Sequence, residues 1–395
     1  MVTTKNRRAS RHGRALAVLL TIGLAAAGTA GPAAGRTIGV PGDAPSIKGA
    51  MIRARAGDII LVSCGTYREH DIIVKPGVSL WSGTLQPDCA VIDAGGRGRC
   101  LIFPAGADTT TRVVGFTLRG GTALGEGRDG MGGLVLVEDA SPTLERCRLV
   151  GGRARDGGAV AAVGDRGPHI LQSELRGSHA LGTGGAVLWR ARGAGRMQHC
   201  TITGNLADET GGGVAVAAGR LLVDTSLLDA NAAGGSGGAL AHSGGSLTVR
   251  GSVLHANAGG LGGGVLAARG ASPRFANCTF HANLADGPDA VLTIGDSQPV
   301  FEACLLTGPA GEALAGDGAP AWRRSNIYLA GGAWPAALAA QRDRDGNQAA
   351  DPLYCAPAAG DLHLQEGSPC LGPDGATIGA LGRGCGAHFP PDVLD

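Results

Sequence analysis

Apolar and polar positions recur through the middle of this chain with a period of about 26 residues. Aligned on Cys147, Ser173, Cys200, Ser226, Ser252, Cys278 and Cys304, successive units begin 26 or 27 residues apart. Three residues before these starts stand Leu144, Ile170, Met197, Val223, Val249, Phe275 and Phe301. Two residues after them stand Leu149, Leu175, Ile202, Leu228, Leu254, Phe280 and Leu306. A further apolar segment opens at Val160, Val187, Val214, Leu240, Val265 and Val291, mostly behind paired small residues such as Gly157-Gly158 or Gly184-Gly185. Short apolar runs split by glycine turns, in a unit too short for a βαβ crossover, predict a coil of about three short strands stacked on its neighbours. The fold class is therefore all-β, a right-handed parallel β-helix. Each apolar column becomes a ladder inside the tube, with rungs roughly 4.8 Å apart.

Two polar columns fit the same stack. Asn205, Asn231, Asn257 and Asn283 each fall five residues after a start, where an amide can hydrogen-bond along the axis, so their role is structural. The column shared by Cys147, Cys200, Cys278 and Cys304 with serines suits small buried groups, which reads as packed thiols. Cys278 and Cys304 are close enough in the stack for pairing to stay open.

A solenoid has to close both ends of its core. The spacing of Ile47, Met51 and Ala54 within Pro45 to Ala56 predicts a short amphipathic capping helix, with strands from Asp58 to Leu80. After Cys304 the period fades, and a segment rich in Pro, Gly and Cys follows. Cys355, Cys370 and Cys385 there imply a stapled cap, although three cannot all pair with one another. The expected layout is a signal segment at 1–30, a β-helix at 36–310 (cap 36–80, regular coils 144–306) and a C-terminal capping segment at 311–395.

Composition refines this picture. Glycine is abundant at 71 of 395 residues, but without a triplet repeat and with 44% apolar residues, so neither collagen nor a disordered chain results. Basic residues up to Arg14, an apolar run from Ala15 to Ala27 and small residues at Gly28, Thr29 and Ala30 form the three parts of a secretory signal. Removing it would leave a net charge of about −4, no footprint for nucleic acid. No later stretch is long and apolar enough to span a membrane. The expected product is secreted or displayed at the cell surface, and monomeric.

The run from Val40 to Glu69, with Gly57-Asp58 leading to Gly65-Thr66-Tyr67-Arg68-Glu69, resembles the opening module of pectin-lyase-like right-handed β-helix proteins. The Gly-Gly-Ala-Val at 157–160 and 184–187, with Ile202-Thr203-Gly204-Asn205 and Phe280-His281-Ala282-Asn283, resembles the repeats of polymorphic outer-membrane proteins. Asp351-Pro352-Leu353-Tyr354, Gly367-Ser368-Pro369-Cys370 and Ile378-Gly379-Ala380 resemble the C-terminal segment of bacterial secreted β-helix repeat proteins. These resemblances imply the architecture and an extracellular setting, with surface adhesins and enzymes of acidic polysaccharides both represented. The Gly-His-Gly of polygalacturonases and the Asp-Phe-Ile-Phe-Gly of pectin methylesterases do not occur, so no catalytic residue carries over.

Candidate chemistry gathers three residues after the starts. Asp229, His255 and His281 occupy successive coils, with Arg250 two residues before its own start. A lyase or hydrolase of uronic-acid polymers would draw its base and its cation from this set. A solvated polar ladder looks the same in sequence, and non-catalytic binding of carbohydrate or other surface ligands is the first reading. Asp208 and Asp286 lie on acidic turns to which Ca²⁺ would go, yet too few oxygens are evident for a full shell, and no cofactor is required. The stretch Asp343 to Asn347 resembles a calcium loop without its distal glutamate and is read as a turn.

Overall fold

The computed structural model describes residues 35–389 except 262, 268–269, 286–288, 309–311, 316–317, 331, 333 and 387–388. The signal segment at 1–30 and Asp286 lie outside the described residues. Among the described residues the chain winds through four parallel sheets of twelve, eleven, seven and ten strands. Each strand pairs with its counterpart one coil away. The twelve-stranded sheet runs from Thr37–Val40 to Ala321–Arg323, and the eleven-stranded one from Gly65–Tyr67 to Asn326–Leu329. In the central coils the expected three strands are joined by a short fourth, such as Arg153–Ala154, His179–Ala180 and Leu206–Ala207. Its buried residue is alanine in each of these, small enough for the chain to make an additional corner.

The apolar columns stack as the period implies. Leu144, Ile170 and Met197 are in register on neighbouring strands and fully buried. Toward the C-terminal end the same column turns aromatic, with Phe275 and Phe301 stacked at 4.9 Å and Phe301 and Trp322 at 4.0 Å. Trp322 belongs to a coil beyond the expected boundary at 310. The β-helix extends to Leu329, because Glu312–Ala315, Ala321–Arg323 and Asn326–Leu329 complete another turn in a shortened repeat. Ser325 still takes the place of a coil start, its Oγ accepting the Cys304 N–H at 3.0 Å.

From Glu145 onward the corner between the twelve- and eleven-stranded sheets turns on a single left-handed residue. Arg146, Gln172, His199, Thr225, Gly251, Asn277, Ala303 and Arg324 all hold left-handed backbone there, with φ between 45° and 53°. The next residue is the buried Cys or Ser. The N–H of Cys200 donates to Ser226 Oγ and that of Ser226 to Ser252 Oγ, both at 3.1 Å. Cys278 and Cys304 are free thiols, and burial pushes Cys200 up to about 12, far from a reactive thiolate. At the following corner Asn205, Asn231, Asn257 and Asn283 form a continuous amide column. Each of the first three gives its Nδ2 to the next Oδ1 at 2.9–3.0 Å and to a carbonyl of the preceding coil. Where the chain enters the ten-stranded sheet, Gly184 has φ +71° and a methyl on Gly185 would collide with the Gly212 carbonyl.

Helix α1, Ile47–Arg53, closes the first coil with Ile47, Ala50 and Met51 buried. Ser46 caps it by accepting the Gly49 N–H, and the Glu69 carboxylate accepts those of Ile47 and Lys48. A disulfide, Cys64–Cys89, lies in these first coils. At the other end Trp334 and Leu338 join the main core, and Asn347 uses its side chain to receive the Ser325 N–H at 3.0 Å. The Asp343 to Asn347 stretch is thus a turn that extends the ladder. Cys355 pairs with Cys385, while Cys370 stays a buried thiol.

Candidate binding cleft

Beyond Asp351 the chain turns back along the outer face of the eleven-stranded sheet. Ala380 N–H donates to Thr279 Oγ1 at 2.9 Å, Gly379 N–H to the Ala303 carbonyl at 2.8 Å, and Asn277 Nδ2 to the Thr377 carbonyl at 2.9 Å. Val253, Leu305, Tyr354, Leu362, Leu364, Cys370 and Leu381 form a second apolar cluster between segment and sheet. The cover touches only the later rungs because their outward residues one position after the coil start are Leu227, Val253, Thr279 and Leu305. Earlier rungs carry Arg148, Glu174 and Thr201 at that position.

Where the two surfaces part, they leave a cleft of about 440 Å³. Leu227, Asp229, Val253 and His255 form its floor. Ala358 to Gly360, Leu362, His363, Leu381 and Phe389 form its wall. His255 Nδ1 lies 2.7 Å from Asp229 Oδ1, and His363 Nδ1 lies 2.8 Å from Asp361 Oδ1. Each imidazole is thereby oriented by a carboxylate, the arrangement that fixes which ring nitrogen remains for a ligand. Desolvation acts to raise the Asp361 pKa, but hydrogen bonds from the Gly386 N–H and His363 hold the carboxyl below its usual range.

His281 has a different setting. Its ring stacks on His255 at 5.7 Å and meets the edge of Tyr354, while its Nδ1 lies 2.7 Å from Thr307 Oγ1. Thr307 in turn shares a hydrogen bond of 3.2 Å with the Tyr354 hydroxyl. Burial, with His255 alongside, brings the His281 pKa down to about 4. Neutral and covered, it supports His255 from behind and does not line the cleft.

Of the candidates from sequence, Asp229 and His255 come together in the cleft with His281 adjacent. Arg250 stands on the twelve-stranded sheet in a two-point ion pair with Asp224 at 2.8 and 2.9 Å, and does not line the cleft. Asp208 pairs with His179 at 2.8 Å, and no group of three or more His, Cys, Asp or Glu is arranged for a metal ion among the described residues. Trp189 and Trp322 are fully buried in the tube. The wall residues His363 and Phe389, and Asp361 that orients His363, escape a search by period because they lie past the last coil. The switch from Arg148 and Glu174 to Leu227 and Val253 in an outward column is the signal that this face is covered.

No family model and no curated protein matches the sequence. Among solved structures, the pectate lyase Pel9A is similar with a TM-score of 0.53 and 12% identity, over 88% of this chain and 96% of that one. By sheet topology the chain is a parallel β-helix. The likeness to that structure is one of fold.

Proposed function

We propose that the protein is exported and that the cleft beside His255 binds a short stretch of extracellular carbohydrate without cleaving it. The observation that carries this reading is the cleft itself. Leu227 and Phe389, partly exposed over buried Val253 and Leu362, offer contact for the C–H faces of sugar rings. His255 and His363, each held by a carboxylate, offer fixed hydrogen-bonding groups for hydroxyls. Export is supported by the basic and apolar pattern of residues 1–30 and by two disulfides, which persist in oxidising compartments.

One observation favours a second reading. The Asp229–His255 pair has the geometry of an oriented general base, which in a polysaccharide lyase would remove the proton beside a uronate carboxylate. A panel of neutral and uronic-acid polysaccharides, scored for binding and for unsaturated products or new reducing ends, tests both. Binding that weakens in His255→Ala, without turnover, is the expected result. Turnover abolished in His255→Ala would replace binding with catalysis, and neither binding nor turnover would overturn both readings.

A further inference from the structure

A second cleft, of about 450 Å³, opens beside the ten-stranded sheet and shares no residue with the first. One wall is a stack of turns in which Thr183 and Thr210 bridge in parallel one coil apart. Asp156 fixes this wall by accepting both the N–H and the hydroxyl of Thr183, at 2.9 and 3.1 Å. The other side is strand Val187–Ala191, whose Trp189 is buried in the tube while Arg190 faces out. Arg155, Leu181 and Glu209 complete the lining, and Leu181 is 44% exposed.

At and around this cleft some charges are paired and two are not. Arg155 is tied to Glu126 at 2.8 Å, and nearby Arg192 to Asp165. Arg190 and Glu209, opposite in sign and lining one cleft, make no side-chain hydrogen bond or ion pair with each other or with any other described residue. They stand on different elements: Arg190 is in register with Val163 on the neighbouring strand, and on the turn stack the Glu209 N–H donates to the Gly182 carbonyl at 3.1 Å. The space between them therefore offers a ligand one strong donor and one strong acceptor at once. With Arg155 and Asp156 included, the lining carries two positive and two negative groups.

That balance selects among ligands. A polyanion would meet Glu209 and Asp156, and a polycation would meet Arg155 and Arg190, each at a cost in repulsion. A neutral sugar carries no such cost. Vicinal hydroxyls accept from a guanidinium and donate to a carboxylate together, and a ring C–H face suits the exposed Leu181. The volume lies within the range of roughly 300–1,000 Å³ usual for small-ligand pockets. The geometry points to a second glycan site, specific for neutral sugars, on a different sheet from the His255 cleft and independent of it.

Affinity electrophoresis of the full chain tests this, in gels containing neutral polymers (galactomannan, xyloglucan or mixed-linkage glucan), polygalacturonate or chitosan. At least one neutral polymer should retard the protein. Arg190→Ala and Glu209→Gln should each weaken that retardation about tenfold, the value of a charge-assisted hydrogen bond, while Arg220→Ala, exposed and lining neither cleft, leaves it unchanged. Both substitutions are at exposed positions, and an unchanged melting temperature confirms the fold. Three results overturn the inference: no retardation by any neutral polymer, retardation unaffected in the Arg190→Ala, Glu209→Gln double variant, or retardation by polygalacturonate or chitosan alone. Loss of binding in His255→Ala with binding intact in Arg190→Ala would assign the glycan to the first cleft only.

Discussion

Along one continuous eleven-stranded sheet, the rungs up to Thr201–Thr203 and those from Leu227–Asp229 onward share a register and an inward apolar column, yet their outer surfaces differ. On the earlier rungs Glu174 bridges to Arg148 at 2.7 Å and to Arg176 at 3.3 Å in partly exposed pairs. On the later rungs Val253, Thr279 and Leu305 are buried under residues 354–381, and the neighbouring column becomes Asp229, His255 and His281. Stacking determines the backbone in both halves. The outward columns determine whether anything packs against it, and with that whether a cleft exists.

The largest test of this contrast removes the cover. Ending the chain after Ala350 deletes one side of the second apolar cluster and the Cys355–Cys385 disulfide. This should cost on the order of 5 kcal/mol or more in the later rungs. Hydrogen exchange should show that loss there and little change before Thr203. Next, Leu305→Asp, which places a carboxylate under the cover, should destabilise by about 3–5 kcal/mol in denaturant titration. Thr201→Asp at the equivalent uncovered position should stay within about 0.5 kcal/mol. Equal effects from these two would show that the halves do not differ.

Asn231→Ala interrupts a column that both halves share. It removes the acceptor of the Asn205 N–H and Nδ2 and the side-chain donor to the Ile202 carbonyl, and should cost about 1–3 kcal/mol. The covered half also carries its own pH response. His281 sits at about 4 in the folded chain against 6.5 for a free imidazole, so the unfolded chain takes up that proton first as pH falls. The associated stability is complete above about pH 6.5 and declines as pH drops toward about 4. Half-buried His169 and buried His242 are lowered too and act in the same direction from other sheets. In His281→Gln the melting temperature should vary less between these pH values, and an unaltered slope would assign the response elsewhere. The smallest effect belongs to Arg250→Ala, which takes an exposed guanidinium away from the buried Asp224 carboxylate. It should cost about 1 kcal/mol and leave glycan binding in the cleft unchanged.

Much of the fold was legible because stacking imposes one rule on every coil. The inward columns from Leu144 to Phe301 and from Leu149 to Leu306 follow from a period visible by inspection. The last coil was harder to see because its repeat is short, although Trp322 and Ser325 occupy the same columns as Phe301 and Cys304. Of the cleft, only the floor was legible. Asp229 and His255 belong to the repeat, whereas His363 and Phe389 reach the sheet through a fold-back that no local pattern encodes. Arg250 was misplaced by spacing alone, since the single left-handed residue after it turns the chain onto another sheet.

That one-residue corner also bears on how such a chain can change length over evolutionary time. Because the coils from Arg146 to Arg324 make this turn in the same way, a whole coil can be duplicated or lost among the rungs between Arg148 and Thr203 while its neighbours keep their alignment. Each event would move helix α1 by roughly 4.8 Å along the axis. The fold-back segment is tethered at Leu329 and reaches a set number of coils toward Leu227, so the first cleft would keep its distance from the C-terminal end. Relatives of different length are thus expected to vary ahead of Leu227, with the cover and its rungs inherited as a unit.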